Sequence, residues 1–163
     1  MMEGKEMIPK FRIFIKASTK TVDGLSCNKD MMYEEISNID FYNQEVTVWG
    51  CGIEGCEMCD DTFRLEDVIL MQSTGLHDVN GKEIFEGDVV IARGWNIHGD
   101  HERVTLVEWD VNKLGWNLIN KSSTNMNYEI IGNVHEHSHL LDDGGEEMNC
   151  KNDLSKDLEQ VLS

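Results

Sequence analysis

The sequence predicts a mainly β protein: a small SH3-like antiparallel barrel, preceded by an N-terminal β-hairpin region and followed by a short C-terminal helix. Three observations predict it. Apolar residues alternate at residues 10–18 and 103–110, the period-two signature of a strand. From Gly75 onward, turn residues recur at intervals of about ten, the rhythm of a small antiparallel barrel. Near the end, Leu154, Leu158, Val161 and Leu162 share one helical face.

The elements follow in order. "KFRIFIKAS" at 10–18 sets Phe11, Ile13 and Ile15 against Arg12, Phe14 and Lys16. "EVTVWG" at 45–50 is β-branched and aromatic, and the preceding "FYNQ" predicts a hairpin turning near Asn43 and Gln44. "CGIEGCEMCDD" at 51–61 has two glycines and no apolar period, which reads as a loop. "FRLEDVILMQST" at 63–74 reads as a turn leading into a strand at 68–72. In "HDVNGKEI", Asn80 and Gly81 form the dipeptide of a type I′ hairpin turn, with both residues at positive φ. Gly87 and Asp88 stand just before "VVIA", where the chain must reverse tightly before a strand. "RVTLVEWD" at 103–110 is the next strand, turned back at 112–115 into "WNLIN". "YEIIGNVHEH" at 128–137 supplies a last strand or strand pair. The implied division is a hairpin region at 8–74, the barrel at 75–141, and an acidic tail with a short amphipathic helix at 142–163. Asp153 can cap that helix, which at about ten residues is too short to be stable alone in water.

Charge and composition restrict the function classes. The chain of 163 residues carries a formal charge of −17, and it is 40% hydrophobic, enough to bury a real core. The tail from Asp142 carries seven acids against two lysines, so most of the negative charge sits on the body. An acidic surface argues against grip on a phosphate backbone, which needs clustered Lys and Arg. No run approaches the roughly 18 apolar residues of a membrane span. "MMEGKEMIPK" lacks the apolar core of a signal peptide, so the expectation is a cytoplasmic protein. The five cysteines are then expected as reduced thiols.

The long stretch "FRLEDVILMQSTGLHDVNGKEIFEGDVV", followed by "VEWD", "GW" and "IIGNVHEHSHLL", resembles the YopX family of phage and prophage proteins. "KFRIFIK" and "IDFYNQEVTVW" fit the same pattern, so the resemblance runs from Ile8 to Leu141. It implies a small, soluble, β-rich, phage-encoded protein, for which the expected cytoplasm is that of the host cell. It implies self-assembly into an oligomer, and it brings no catalytic residues. The cysteine segment at 51–59, the histidines at 135, 137 and 139, and the acidic tail all depart from the pattern.

Several constellations could carry chemistry. Cys51, Cys56 and Cys59 form C-x4-C-x2-C, and Cys27 is the obvious fourth ligand for a tetrahedral zinc, with His77 as another. A single C-x2-C is a weak signal, and the reading adopted is free thiols, with no metal and no cofactor. His135, His137 and His139 would project from one face of a strand, but ligands about 6.6 Å apart fit one ion poorly. His98 and His101 read as solvated loop residues. Trp95, Trp109, Trp116 and Tyr128 could stack bases, although Arg93, Arg103 and Lys113 are too few for a basic groove. Glu83, Glu86 and Asp88 surround the Gly87 turn, where Asp88 is expected to accept from backbone amides rather than act as an acid or base. Gly75, Asn80, Gly81, Gly87 and Asp88 are therefore read as a structural signature, with no catalytic residue assigned.

These observations favour a non-enzymatic phage accessory protein that assembles with itself or binds a host or phage protein. One alternative is an acidic mimic of nucleic acid acting on a host DNA-binding protein. The other is a nucleic-acid-binding barrel, which the charge disfavours.

Overall fold

Four of the five residues in strand β1 (Phe11–Ile15) are buried, and the rest of the fold is arranged to cover both of its faces. The computed structural model describes residues 8–50, 60–96, 98–118 and 126–142. After β1 come β2 (Met31–Tyr33), β3 (Ile36–Asp40), β4 (Glu45–Trp49) and β5 (Asp60–Arg64). A single 3-10 turn at Leu65–Asp67 leads into β6 (Ile69–His77), then β7 (Glu83–Phe85) and β8 (Asp88–Asn96). β9 (Gly99–Leu106), β10 (Trp109–Asp110), β11 (Gly115–Trp116), β12 (Asn127–Asn133) and a four-residue helix α1 (His139–Asp142) complete the described chain. The protein is mainly β, as its turn chemistry predicts, with the sheets curled into a half-barrel.

β1 lies inside a four-stranded sheet of order β2-β1-β6-β7. On one face Ile13 and Ile15 pack with Val46, Val48, Phe63 and Val68. Those partners come from the antiparallel meander β3-β4-β5 and the approach to β6. On the other face Phe14 packs with Met71 and Phe85. The alternation read in the sequence therefore does not divide a core face from a solvent face. Arg12, placed opposite the apolar set, is only 3% exposed.

The β3–β4 turn falls where expected. The Asp40 carboxylate accepts the N–H groups of Tyr42 and Asn43 at 2.9 and 3.0 Å, and Gln44 takes a positive φ of 58°. β5 begins inside the stretch read as a loop. Its sequence "DDTFR" holds one buried apolar side chain, Phe63, so periodicity is silent there. Pairing with β4 makes it a strand, with Val46 opposite Phe63 and Trp49 opposite Asp60. The turn leading into β6 is as predicted, but β6 is nine residues long and runs across the expected division at 74/75. Its first half pairs with β1 and its second with β7, with a register break between Ser73 and His77.

The Asn80-Gly81 turn is a hairpin turn of a different type from the one predicted. Asp78 and Lys82 are joined by a 2.8 Å backbone bond, and the Gly81 N–H donates to Asp78 O at 3.0 Å. Gly81 has φ +80°, whereas Asn80 is not among the positive-φ residues. This is a three-residue loop ending in a left-handed glycine, not the two-residue type I′ turn. The Asp78 carboxylate decides it by accepting the N–H groups of Asn80 and Lys82, both at 2.9 Å.

β8 is the middle strand of a second sheet, β12-β8-β9. Val90 packs there with Ile84, Val107, Trp116 and Leu118. The strand expected at 103–110 is broken after Leu106. Buried Val107 turns back to the corner at Gly87 and Asp88, donating to Asp88 O at 2.8 Å and accepting from the Gly87 N–H at 2.9 Å. His101 lies on β9 rather than in a loop. The amphipathic helix expected near the end lies outside the described residues.

Gly87 is required at this corner for two reasons. Its φ is +82°, and a Cβ added there would sit 3.0 Å from Met71 Cε and 3.3 Å from His135 Nε2. Left-handed backbone alone costs a β-branched residue about 1 kcal/mol or more. Gly87→Val should lower the melting temperature by roughly 2–8 °C or more, read by circular dichroism, since about 1 kcal/mol shifts the midpoint by that much in domains of this general size. An unchanged midpoint would show that the corner tolerates a side chain.

Candidate functional site

The signature residues gather into a buried junction and a projecting hairpin. At the junction the Arg12 guanidinium forms an ion pair with Asp88, joining β1 to the first residue of β8. Both side chains are almost wholly buried. The other Asp88 oxygen accepts the Phe85 N–H at 2.9 Å, so the carboxylate closes the β7–β8 turn as well. The Arg12 guanidinium carbon lies 4.7 Å from the centre of the Phe85 ring, within cation–π range. Burial pushes the Asp88 carboxyl above its ordinary value, while the Phe85 N–H and Arg12 pull it down. The sequence expectation for Asp88, acceptance of local amides, is met. Its larger role as partner of Arg12 was not legible, because 76 residues separate the two.

Gly75 lies at the β6 register break. Gly81 and Asn80 lie at the tip of the Asp78 turn. Asp78 reaches beyond that turn to accept the Ile130 N–H at 3.2 Å, which ties β12 to it. Burial alone would raise this carboxyl, but the converging N–H groups hold it below its ordinary value.

The three alternating histidines do not share a strand face. β12 ends at Asn133, whose side-chain oxygen accepts the N–H groups of His135 and Glu136 at 3.1 and 2.9 Å. The chain turns there, and His135 swings inward to stack on Phe14 with ring centres 5.3 Å apart. His137 and His139 meet edge to face at 6.2 Å. Cys27 is half-buried, and burial together with the nearby Asp61 carboxylate pushes its thiol up. Cys51, Cys56, Cys59 and Cys150 lie outside the described residues. Among the described residues, no three His, Cys, Asp or Glu side chains gather as metal ligands.

The aromatics do not form one platform. Trp116 is buried with Trp109 set edge-on against it at 5.4 Å, and the Tyr128 hydroxyl donates to Leu118 O. Trp95 stands apart on the β8–β9 hairpin and is 64% exposed. Beside it, Arg93 on β8 donates through Nε to Glu102 of β9 at 2.6 Å and through its amino end to Glu129 of β12. Those bonds, Glu129 first, hold the guanidinium above its ordinary pKa. A concavity of about 590 Å³ lies over Arg93, Trp95, Asp100, His101 and Asn127. β9 is paired with β8 from Leu106 to Gly99, and among the described residues its outer edge has no strand beside it.

A family model described as YopX protein matches residues 10–142. The chain belongs to the YopX family. Among solved structures, the crystal structure of protein EF1440 from Enterococcus faecalis is similar. It is 23% identical over 83% of this chain and 99% of that chain, with a TM-score of 0.46. No curated protein matches by sequence. In this YopX-family chain the matched span includes both the Arg12–Asp88 junction and the Trp95 hairpin. No described helix is long and apolar enough to cross a membrane.

Two outcomes follow from the junction. Asp88→Asn keeps the shape but leaves the Arg12 charge buried without its partner, which should cost about 3–5 kcal/mol in urea unfolding. Adding Arg12→Met should restore part of that loss, because the two changes share one interaction. His135 gives a pH signature. Burial, then the positive charges of Lys16 and Arg12, lower its folded pKa below the 6.5 of the unfolded chain, and Glu136 opposes them weakly. Its contribution is complete above pH 6.5 and is lost as pH falls from there through the folded pKa. His135→Phe keeps the stack on Phe14 and removes the titration. The melting temperature of the variant should therefore fall less steeply than that of the parent as pH drops below 6.5.

Proposed function

We propose that this chain is a non-enzymatic accessory protein of phage type that works by binding protein, through self-assembly or a partner in the host cytoplasm. The observation that carries the reading is the β8–β9 hairpin. It offers eight residues of regular edge strand, Gly99–Leu106, with six exposed in succession. Among the described residues no strand pairs with its outer edge, where Leu106 O is taken by Asn117 Nδ2 at 2.7 Å, and such an edge is a template for another chain. Trp95 stands beside it on backbone paired with β9 at Asp100, and tryptophan is among the residues enriched as interface anchors. The Arg93 bridge across β9, β8 and β12 stiffens that surface.

The same bridge bears on the alternatives. A nucleic-acid mimic needs rows of free carboxylates at phosphate-like spacing. Here Glu102 and Glu129 are drawn onto Arg93. A nucleic-acid binder needs clustered bases around its aromatic face, and Trp95 has Asp100 opposite it on β9. Both features favour the protein-binding reading.

Light scattering across micromolar to millimolar protein tests self-assembly. The expected result is a mass above that of the monomer which rises with concentration. Trp95→Ala should lower it while leaving the melting temperature within a degree or two, since exposed substitutions change stability by about 0.5 kcal/mol or less. A constant monomer mass in the parent protein would rule out self-assembly.

A further inference from the structure

A second recess lies far from the hairpin in fold terms. It is a groove of about 670 Å³ between β3 and the surface made by the start of β1 and by β7. One wall is six consecutive residues, Glu34 to Ile39. Among the described residues β3 is hydrogen-bonded to β4 alone in the order β3-β4-β5, so the 36–39 part of that run is a free edge of the meander. A register break between Ile36 and Asn38 leaves Ser37 and Asn38 both exposed along this edge. The opposite wall offers Phe11 and Phe85 as an apolar surface. The four β3 residues of this wall, 36–39, span about 13 Å, the length of a very short added strand.

The charges select the occupant. Lys10 and Glu83 neutralise each other at 3.0 Å, and Glu83 is held further by Ser73 at 2.6 Å. The remaining charged residues of the lining are Glu34, Glu35 and Lys82. Glu34 and Glu35 are exposed and adjacent at the mouth of the edge strand. They belong to a chain whose net charge of −17 draws basic partners. We infer that this groove takes an extended basic segment of a partner protein, added as a strand along β3 with apolar side chains directed toward Phe11 and Phe85. Main-chain bonds to β3 give the affinity, and Glu34 and Glu35 give the preference for Lys or Arg.

This inference rests on the protein-binding reading but concerns a different face, and its test reads peptide binding, with the oligomer mass serving only to identify a second copy as the occupant. The probe is a fluorescein-labelled heptapeptide of alternating lysine and valine, followed by anisotropy with the full chain at physiological salt. Binding is expected, and alternating glutamate and valine should not bind. Methylating every backbone amide nitrogen of the peptide should abolish binding, because the added strand then has no donors for β3 on either edge. The exposed charge reversals Glu34→Lys and Glu35→Lys together should weaken binding by about tenfold or more, whereas Trp95→Ala should leave it unchanged. Equal binding of the methylated peptide would show bare charge attraction and overturn the inference, as would indifference to the two reversals. If the reversals change the light-scattering mass while the peptide fails to bind, the groove belongs to a second copy and the inference is wrong.

Discussion

The fold turns on one buried ion pair. Arg12 and Asp88 are both almost inaccessible to water, and removing two charges from water costs several kcal/mol each before any attraction is counted. The structure offsets this with the pair itself, the Phe85 N–H on the second carboxylate oxygen, and the Phe85 ring against the guanidinium. The compensation is incomplete, since Arg12 Nε is buried with no hydrogen-bond partner. An apolar pair of the same volume would fill this space at least as stably. What the ion pair adds is a unique position: only one residue of β1 can meet one residue at the head of β8.

That fixed point is passed on through the backbone. Gly87, next to Asp88, accepts the Val134 N–H at 2.8 Å and donates to Val107 O, while Asp88 O accepts the Val107 N–H. The corner thus binds the end of β12 and the residue after β9 to the start of β8. All three strands of the second sheet leave from this point, and the Trp95 hairpin is their far end. A positive-φ glycine is needed where so many backbone groups converge, and the space left by its missing side chain is bordered by Met71 and His135. His135 in turn leans on Phe14 of β1. The junction is therefore closed from both ends of the chain.

Much of this was legible in the sequence, and the limits have physical causes. The mainly β class, the β3–β4 turn, the turn before β6 and the structural role of Gly87 all follow from local chemistry, because glycine, asparagine and aspartate act on their immediate neighbours. The burial of Arg12 was not legible, because alternation marks a strand and supposes that one of its sides meets water. A strand covered on both faces breaks that supposition without changing its pattern. β5 was missed because "DDTFR" becomes a strand only by pairing with β4. The type I′ assignment failed because Asp78, two residues before Asn80, captures the turn amides and lengthens the loop. The alternating histidines suggested a continuing strand, but Asn133 ends it by accepting two backbone N–H groups. The Trp95 surface could be recognised as aromatic but not as exposed, since only the hairpin's extension beyond the core leaves it uncovered.

The edge at β9 also constrains how copies can meet. Asp100 and Glu102 share one face of β9, and His101 and Arg103 share the other, because side chains alternate along a strand. An antiparallel pairing of two β9 strands about a twofold axis keeps each face continuous across the pair. In the registers centred on residues 100 to 103 a like-charged pair meets across the axis: Asp100 with its copy, Asp100 with Glu102, Glu102 with its copy, or Arg103 with its copy. Like charges set opposite each other destabilise a sheet. The edge is thus protected against the symmetric pairings centred on its charged residues while its backbone remains available. That pattern favours a different element of a neighbouring copy, a heterologous contact that closes into a ring when its rotation allows, or a different protein. Glu34 and Glu35 give the β3 groove its preference for a basic strand, whereas the charge pattern of β9 disfavours the symmetric registers centred on residues 100 to 103, so the two edges suit different kinds of partner.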